Sequence, residues 1–226
     1  MVRAIVFDLD DTLYEEITYV RGGFRIVGEV LAARGVGDAA HIAAALEQLH
    51  IENGRAGVLQ TLAERLAFPT AWIPELVTTI RSHRPDIRLA ADADEVLPRL
   101  RTAFRLGCVT DGWAAVQRGK VDALGLRERL DAIVIADERG REYWKPHPVP
   151  FLQCCELLQA DPGDTVFVGD NPDRDLLGAR RAGLRSIRIR RPGSYFCDAT
   201  CSDADVRPDA EIVDLRELEE RIRDWR

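Results

Sequence analysis

Apolar positions along the chain follow two different rhythms. Between about residues 15 and 90 they recur every three or four positions, the period of a helix with one buried face. Ile17, Val20, Phe24, Val27, Val30 and Leu31 form one stripe, stopped by Gly35-Val36-Gly37. Asp38 suits the N-cap of the next helix. Ile42, Leu46 and Leu49 carry a second stripe, ended near Asn53-Gly54. Val58, Leu59, Leu62 and Leu66 carry a third, stopped before Pro69, and Trp72, Leu76, Val77 and Ile80 a fourth, stopped before Pro85. Nothing in this stretch reads as a strand, and four short antiparallel helices predict a small bundle.

Outside that stretch the apolar residues come in short unbroken runs. Ala4–Phe7, Leu106–Val109, Ala132–Ile135 and Thr165–Val168 are each about four residues long, and Ser186-Ile187-Arg188-Ile189, interrupted by Arg188, reads as a further strand. Runs of this kind suit strands buried on both faces. Helical patterns separate them: Asp92 to Phe104, Ala114 to Leu124, one opening at Pro148 with His147 as a cap, and one from Asn171-Pro172 to about Ala182. Residues 190–209 read as a long loop, Glu211–Val213 as a last edge strand, and a closing helix begins near Leu215. Alternating strands and helices predict an α/β fold whose sheet is parallel, with right-handed crossovers.

Composition narrows the class. With 46% hydrophobic and 31% charged residues, 226 residues support a sizeable core in one domain with an insertion. A formal net charge of −7 argues against a nucleic-acid surface. No apolar run reaches the roughly 18 residues of a membrane span, and no signal-peptide pattern precedes the first strand. The five cysteines are scattered: Cys154 and Cys155 adjoin, while Cys197 and Cys201 lack a matching second pair for zinc. Reduced thiols and a cytoplasmic location are the expectation.

In a parallel sheet all carboxyl ends share one rim, where ligands bind. Asp8 and Asp10 lie two apart where the first strand ends, so an extended chain projects both carboxylates from one face. Such a pair calls for a cation or a shared proton. A capping box over Thr12-Leu13-Tyr14-Glu15 would account for Thr12 and Asp11, but not for Asp8 beside Asp10. An EF-hand loop is excluded by Leu13 and Tyr19, which stand where Gly and Glu would be needed. Thr110 and Asp170 end two further runs, and Lys145 lies in the loop beyond a fourth. Arg21 and Arg25, four apart on the first helix, read as a solvated face.

Asp8-Leu9-Asp10-Asp11-Thr12, then Thr110, then Lys145 in Lys-Pro-His-Pro, then Gly169-Asp170 with Asp175 five residues on, resemble in order the four motifs of the haloacid dehalogenase superfamily, in its phosphatase branch. Thr110-Asp111-Gly112 with Gln117 and Lys120 is similar to sugar-phosphate and nucleotide phosphatases of the capped group. The resemblance implies a Rossmann-like core of residues 1–14 and 91–226, with helices on both faces of the sheet, and a four-helix-bundle cap at 15–90 that closes over the site. It implies Mg²⁺-dependent hydrolysis of a small phosphorylated metabolite such as a sugar phosphate, nucleoside monophosphate or phosphoglycolate, by a monomer or homodimer. Asp8 would be the nucleophile and Asp10 the acid and base, with a pKa raised toward neutrality by its neighbour. Mg²⁺ would be held by Asp8, the Asp10 carbonyl and Asp170. Thr110, Asp111, Gly112 and Lys145 would bind the substrate, with Asp175 and Asn171 behind them. A phosphomutase shares this machinery. A 2-haloacid dehalogenase needs no metal and lacks the second acid of the first motif. A receiver domain is about half this length, and a non-catalytic binding protein on this fold usually loses a motif residue.

Overall fold

The computed structural model describes residues 1–203 and 206–225. The chain divides into two compact units, residues 1–16 with 87–226, and residues 17–86. In the first unit the described residues form one six-stranded sheet, all parallel: β1 (Ala4–Phe7), β2 (Arg105–Thr110), β3 (Ala132–Ile135), β4 (Thr165–Gly169), β5 (Arg185–Ile189) and β6 (Ala210–Ile212), in the spatial order β3-β2-β1-β4-β5-β6. β1 is central, with Ile5 opposite Leu106 on one side and Val166 on the other.

Both faces of the sheet are covered. Ala4 and Val6 point into a cluster with Val109, Phe151, Cys154 and Phe167, and Phe151 meets Phe167 edge to face at 4.8 Å. Ile5 and Phe7 alternate to the opposite face and are equally shut off from water. The helices of this unit are α5 (Ala91–Leu100), α6 (Ala114–Ala123), α7 (Leu126–Arg129), α8 (Val149–Leu158), α9 (Leu177–Arg181) and α10 (Leu218–Ile222). α8 lies against the first cluster, where Gly107 gives it room: a Cβ there would stand 2.6 Å from Cys154 Sγ.

The second unit contains α1 (Glu16–Ala33, whose first residue belongs to the sheet unit), α2 (Ala39–Asn53), α3 (Val58–Leu66) and α4 (Ile73–Ser82). Their apolar stripes meet in one cluster built on Phe24, Val27, Leu31, Leu46, Leu62 and Leu76. The Asp38 carboxylate accepts the His41 N–H at 3.0 Å and caps α2. Arg21 pairs with Glu47 and Arg25 with Glu29, on exposed surface.

Two local expectations are corrected. The capping box at Thr12 does not form, because α1 begins only at Glu16. The Asp11 carboxylate accepts the Glu16 N–H at 2.9 Å instead, and the Thr12 hydroxyl is buried without a partner. The helix expected from Asn171 opens as a wide turn over residues 172–176 before α9 begins.

Candidate active site

Three neighbouring strand ends build the site. The Asp8 N–H still donates to the Val168 carbonyl, at 2.8 Å, so Asp8 is held by the sheet. β2 closes on Thr110, and Asp170 follows the last residue of β4. Lys145 comes from the loop between β3 and α8, and Asp175 from the turn after Asn171-Pro172. Asp8, Thr110, Lys145, Asp170 and Asp175 are all buried.

Lys145 lies between two acids. Its Nζ donates to Asp8 Oδ1 and, at 2.7 Å, to Asp175 Oδ1. Carboxylate oxygens of Asp8, Asp170 and Asp175 lie within 4.8 Å of one another. Three acids against one ammonium leave excess negative charge in a dry place. Burial pushes Asp8 well above the usual carboxylate range despite Lys145, and burial with the Asp175 and Asp8 charges pushes Asp170 up to about 10. Burial would lower Lys145, but Asp175 and Asp8 together hold it well above its ordinary value. Buried carboxylates with this much mutual repulsion suit a hard divalent cation, which oxygen donors favour. Asp175 already accepts from Lys145 through one oxygen and from the Asn171 N–H, at 2.9 Å, through the other. Asp8 and Asp170 are therefore the better placed of the three to hold an ion.

The carboxylate of Asp10 is not part of that trio. Its Oδ1 accepts from the Tyr14 hydroxyl and from Lys120 Nζ at 2.6 Å, and its Oδ2 from Gln117 Nε2 at 2.9 Å. The same Gln117 nitrogen donates to the Thr110 hydroxyl at 2.6 Å, tying the two groups together. Burial raises the Asp10 pKa, but Lys120, Tyr14 and Gln117 outweigh it and hold the carboxyl below its ordinary value. The expected shift toward neutrality is thus reversed. From the sequence, Gln117 and Lys120 stand out only in the family pattern after Thr110, with no role in the site, and Tyr14 has no such role either. Gln117 and Lys120 sit three apart on α6, and the structure buries both polar side chains.

The remaining candidates have local partners. Asp111 Oδ1 accepts the Lys145 N–H at 3.0 Å and its Oδ2 pairs with Arg174 at 3.4 Å, so this carboxylate braces the Lys145 loop. Gly112 has a left-handed φ of 110°, and a Cβ there would stand 3.3 Å from the Gln117 side chain. Asn171 Oδ1 accepts the N–H groups of Asp173 and Arg174 at 3.1 and 3.2 Å. His147 Nδ1 accepts the Val149 N–H at 3.2 Å, and α8 starts at Val149, one residue later than expected. Cys201 donates weakly to Asp173 Oδ1 at 3.4 Å. No helix among the described residues is long and apolar enough to cross a membrane.

Residues 2–183 match the haloacid dehalogenase-like hydrolase family. The glyceraldehyde 3-phosphate phosphatase of Methanopyrus kandleri is 31% identical over 99% of this chain and 98% of its own. The human N-acylneuraminate-9-phosphatase is 31% identical over 82% of this chain and 81% of its own. A crystal structure of 2-haloacid dehalogenase from Pseudomonas syringae superposes with a TM-score of 0.68 at 28% identity, covering all of both chains.

Proposed function

Since the chain belongs to the haloacid dehalogenase-like hydrolases, we propose that it is a Mg²⁺-dependent phosphatase of small phosphorylated metabolites, working through an aspartyl phosphate on Asp8. One observation carries the reading: a buried acid trio and a lysine converge on one strand rim, with a fourth, separately held carboxylate close by at Asp10. Grip for a cation and grip for an anion side by side is what a phosphate ester requires, because its own negative charge is the main obstacle to attack. Asp10 also separates the reading from dehalogenation, which by the family resemblance lacks this second acid. The phosphatases that match at 31% identity support the same choice.

Asp8 and Asp170 would hold Mg²⁺, with the Asp10 carbonyl. When bound, it supplies the positive charge that keeps both acids ionised and offsets the phosphate oxygens. The chain's own residues do the rest. Lys145 and Thr110 hold phosphate oxygens, and Gln117 fixes the Thr110 hydroxyl. Asp8 forms a bond to phosphorus while the bond to the ester oxygen breaks, and Asp10 delivers a proton to that oxygen. Asp10 then takes a proton from water as the water displaces phosphate and the Asp8 carboxylate is restored. Held ionised at rest by Lys120, Asp10 is ready for this second step. The charge of the bound ester raises the Asp10 pKa again and lets it take up the proton of a monoanionic phosphomonoester, whose second pKa is about 6, for the first step. Asp175 holds Lys145 in line between the two acids.

The test is direct. Asp8→Asn should lower turnover of 4-nitrophenyl phosphate by about a thousandfold or more, while calorimetry still finds Mg²⁺-dependent phosphate binding. Excess chelator should stop the wild type, and added Mg²⁺ restore it. Full activity in Asp8→Asn, or in chelator, would rule the scheme out. A phosphate-release screen over sugar phosphates, nucleoside monophosphates and short phospho-acids would then identify the substrate class.

A further inference from the structure

Residues 9–16 leave the sheet through a tight turn. The Leu13 N–H donates to the Leu9 carbonyl at 3.0 Å, and Asp11 takes a left-handed φ of 55°, which residues other than glycine seldom adopt. Two sets of contacts hold that shape. Asp11 accepts the Glu16 N–H at 2.9 Å through one oxygen and the Tyr195 N–H at 3.3 Å through the other. Arg191 donates twice to the Thr12 carbonyl, from Nε at 3.1 Å and from Nη2 at 2.8 Å.

The guanidinium is itself locked. Its Nη2 also reaches Asp92 Oδ1 at 2.9 Å, and Asp92 Oδ2 accepts the Leu215 N–H at 2.8 Å. The two side chains are 13% and 4% exposed. A planar fork enclosed in this way has one geometry, which the point charge of a lysine would not reproduce. Thr12 stands two residues after Asp10 and two before Tyr14, whose hydroxyl holds the Asp10 carboxylate. The backbones of Asp10 and Tyr14 also bridge each other. A slip of the Thr12 carbonyl therefore moves both the carboxylate and the group that aims it.

We propose that Arg191 is a positioning residue for the reaction: clamped by Asp92, it fixes the turn from Asp10 to Tyr14 and so sets the Asp10 carboxylate at the ester oxygen. The assignment rests on the reading of Asp10 as proton donor given above. It makes a prediction that a merely structural arginine does not. A nitrophenolate leaves with little help, whereas an alkoxide needs its proton. Misplacing Asp10 should therefore hurt alkyl phosphates and spare aryl phosphates.

The experiment measures kcat and KM for wild type, Arg191→Lys and Asp92→Asn, on 4-nitrophenyl phosphate and on the best alkyl phosphate from a sugar-phosphate screen. The expected result is a loss of about tenfold or more in kcat on the alkyl ester, under about threefold on the aryl ester, and a near-constant KM. Asp92→Asn keeps Arg191 but loosens it, and should show the same selectivity more weakly. It carries the test if Arg191→Lys fails to fold. Equal losses on both esters, or no loss on either, would overturn the assignment. A wild type inactive on every phosphate ester would instead remove the phosphatase reading, and this assignment with it.

Discussion

Lys120 keeps only 4% of its surface in water, and its bond to Asp10 offsets part of the cost of that burial. Lys120→Met would leave the Asp10 carboxylate to Tyr14 and Gln117 alone. Breaking a fully buried pair costs about 3–5 kcal/mol, and roughly 2 kcal/mol is expected here because a fifth of the Asp10 side chain stays exposed. Urea unfolding would measure it, and Lys120→Arg should not restore the loss, since the larger fork does not fit a site shaped for an ammonium. At this scale the sequence singles out the acids at the strand end, and names Gln117 and Lys120 only as part of a family pattern, without the group they bond to. Asp8 and Asp10 stand out because carboxylates rarely end an apolar run. The bonds from Gln117 and Lys120 to Asp10 span 107 and 110 residues, a closure that no local pattern records. The expected upward shift of the Asp10 pKa fails for that reason: the neighbouring acid is adjacent in the sequence, and the bond to the distant ammonium is not legible there.

Among the elements, strands were the easiest to read. A four-residue apolar run admits few other interpretations when both faces of a sheet are covered, as β1 shows. Helix ends were harder, because they depend on which side chain reaches the free N–H groups. Thr12 and Asp11 both suit that task by type, and only the left-handed turn at Asp11 decides between them. Close approaches between elements are also invisible until residues are paired in space. Gly28 on α1 faces the backbone of α2, where an added Cβ would overlap the Ala39 carbonyl oxygen. Gly28→Ala gains helix propensity, yet the clash with rigid backbone should outweigh it. A net destabilisation of about 1–3 kcal/mol is expected in thermal or urea unfolding. Stability equal to or above the wild type would show that α1 and α2 separate readily.

For the molecule as a whole, Asp92 ties distant parts of the sheet unit together through Arg191, Leu215 and the start of α5. Burial raises its pKa, but those bonds, led by the one from Arg191, hold it below the ordinary carboxylate value. The ionised form is thus the one that the fold favours. Its stabilisation is present above the unfolded pKa of about 4 and fades as the pH falls through the lower folded value. Asp92→Asn should accordingly lower the melting temperature at pH 7, and the gap to the wild type should narrow below about pH 4. A gap independent of pH would mean that the carboxylate's charge contributes nothing. The same scale brings out an effect of strand order. β1 pairs with β2 from residue 105 and with β4 from residue 165, and with no earlier strand. A ribosome adding about 5–20 residues per second therefore releases β1 roughly 8 to 30 seconds before the second neighbour emerges. Until then the sheet's central strand has at most one of its two partners and keeps an open edge. Chaperone demand during synthesis, and aggregation of chains truncated before Thr165, are the outcomes expected of a first strand that ends up in the middle of its sheet.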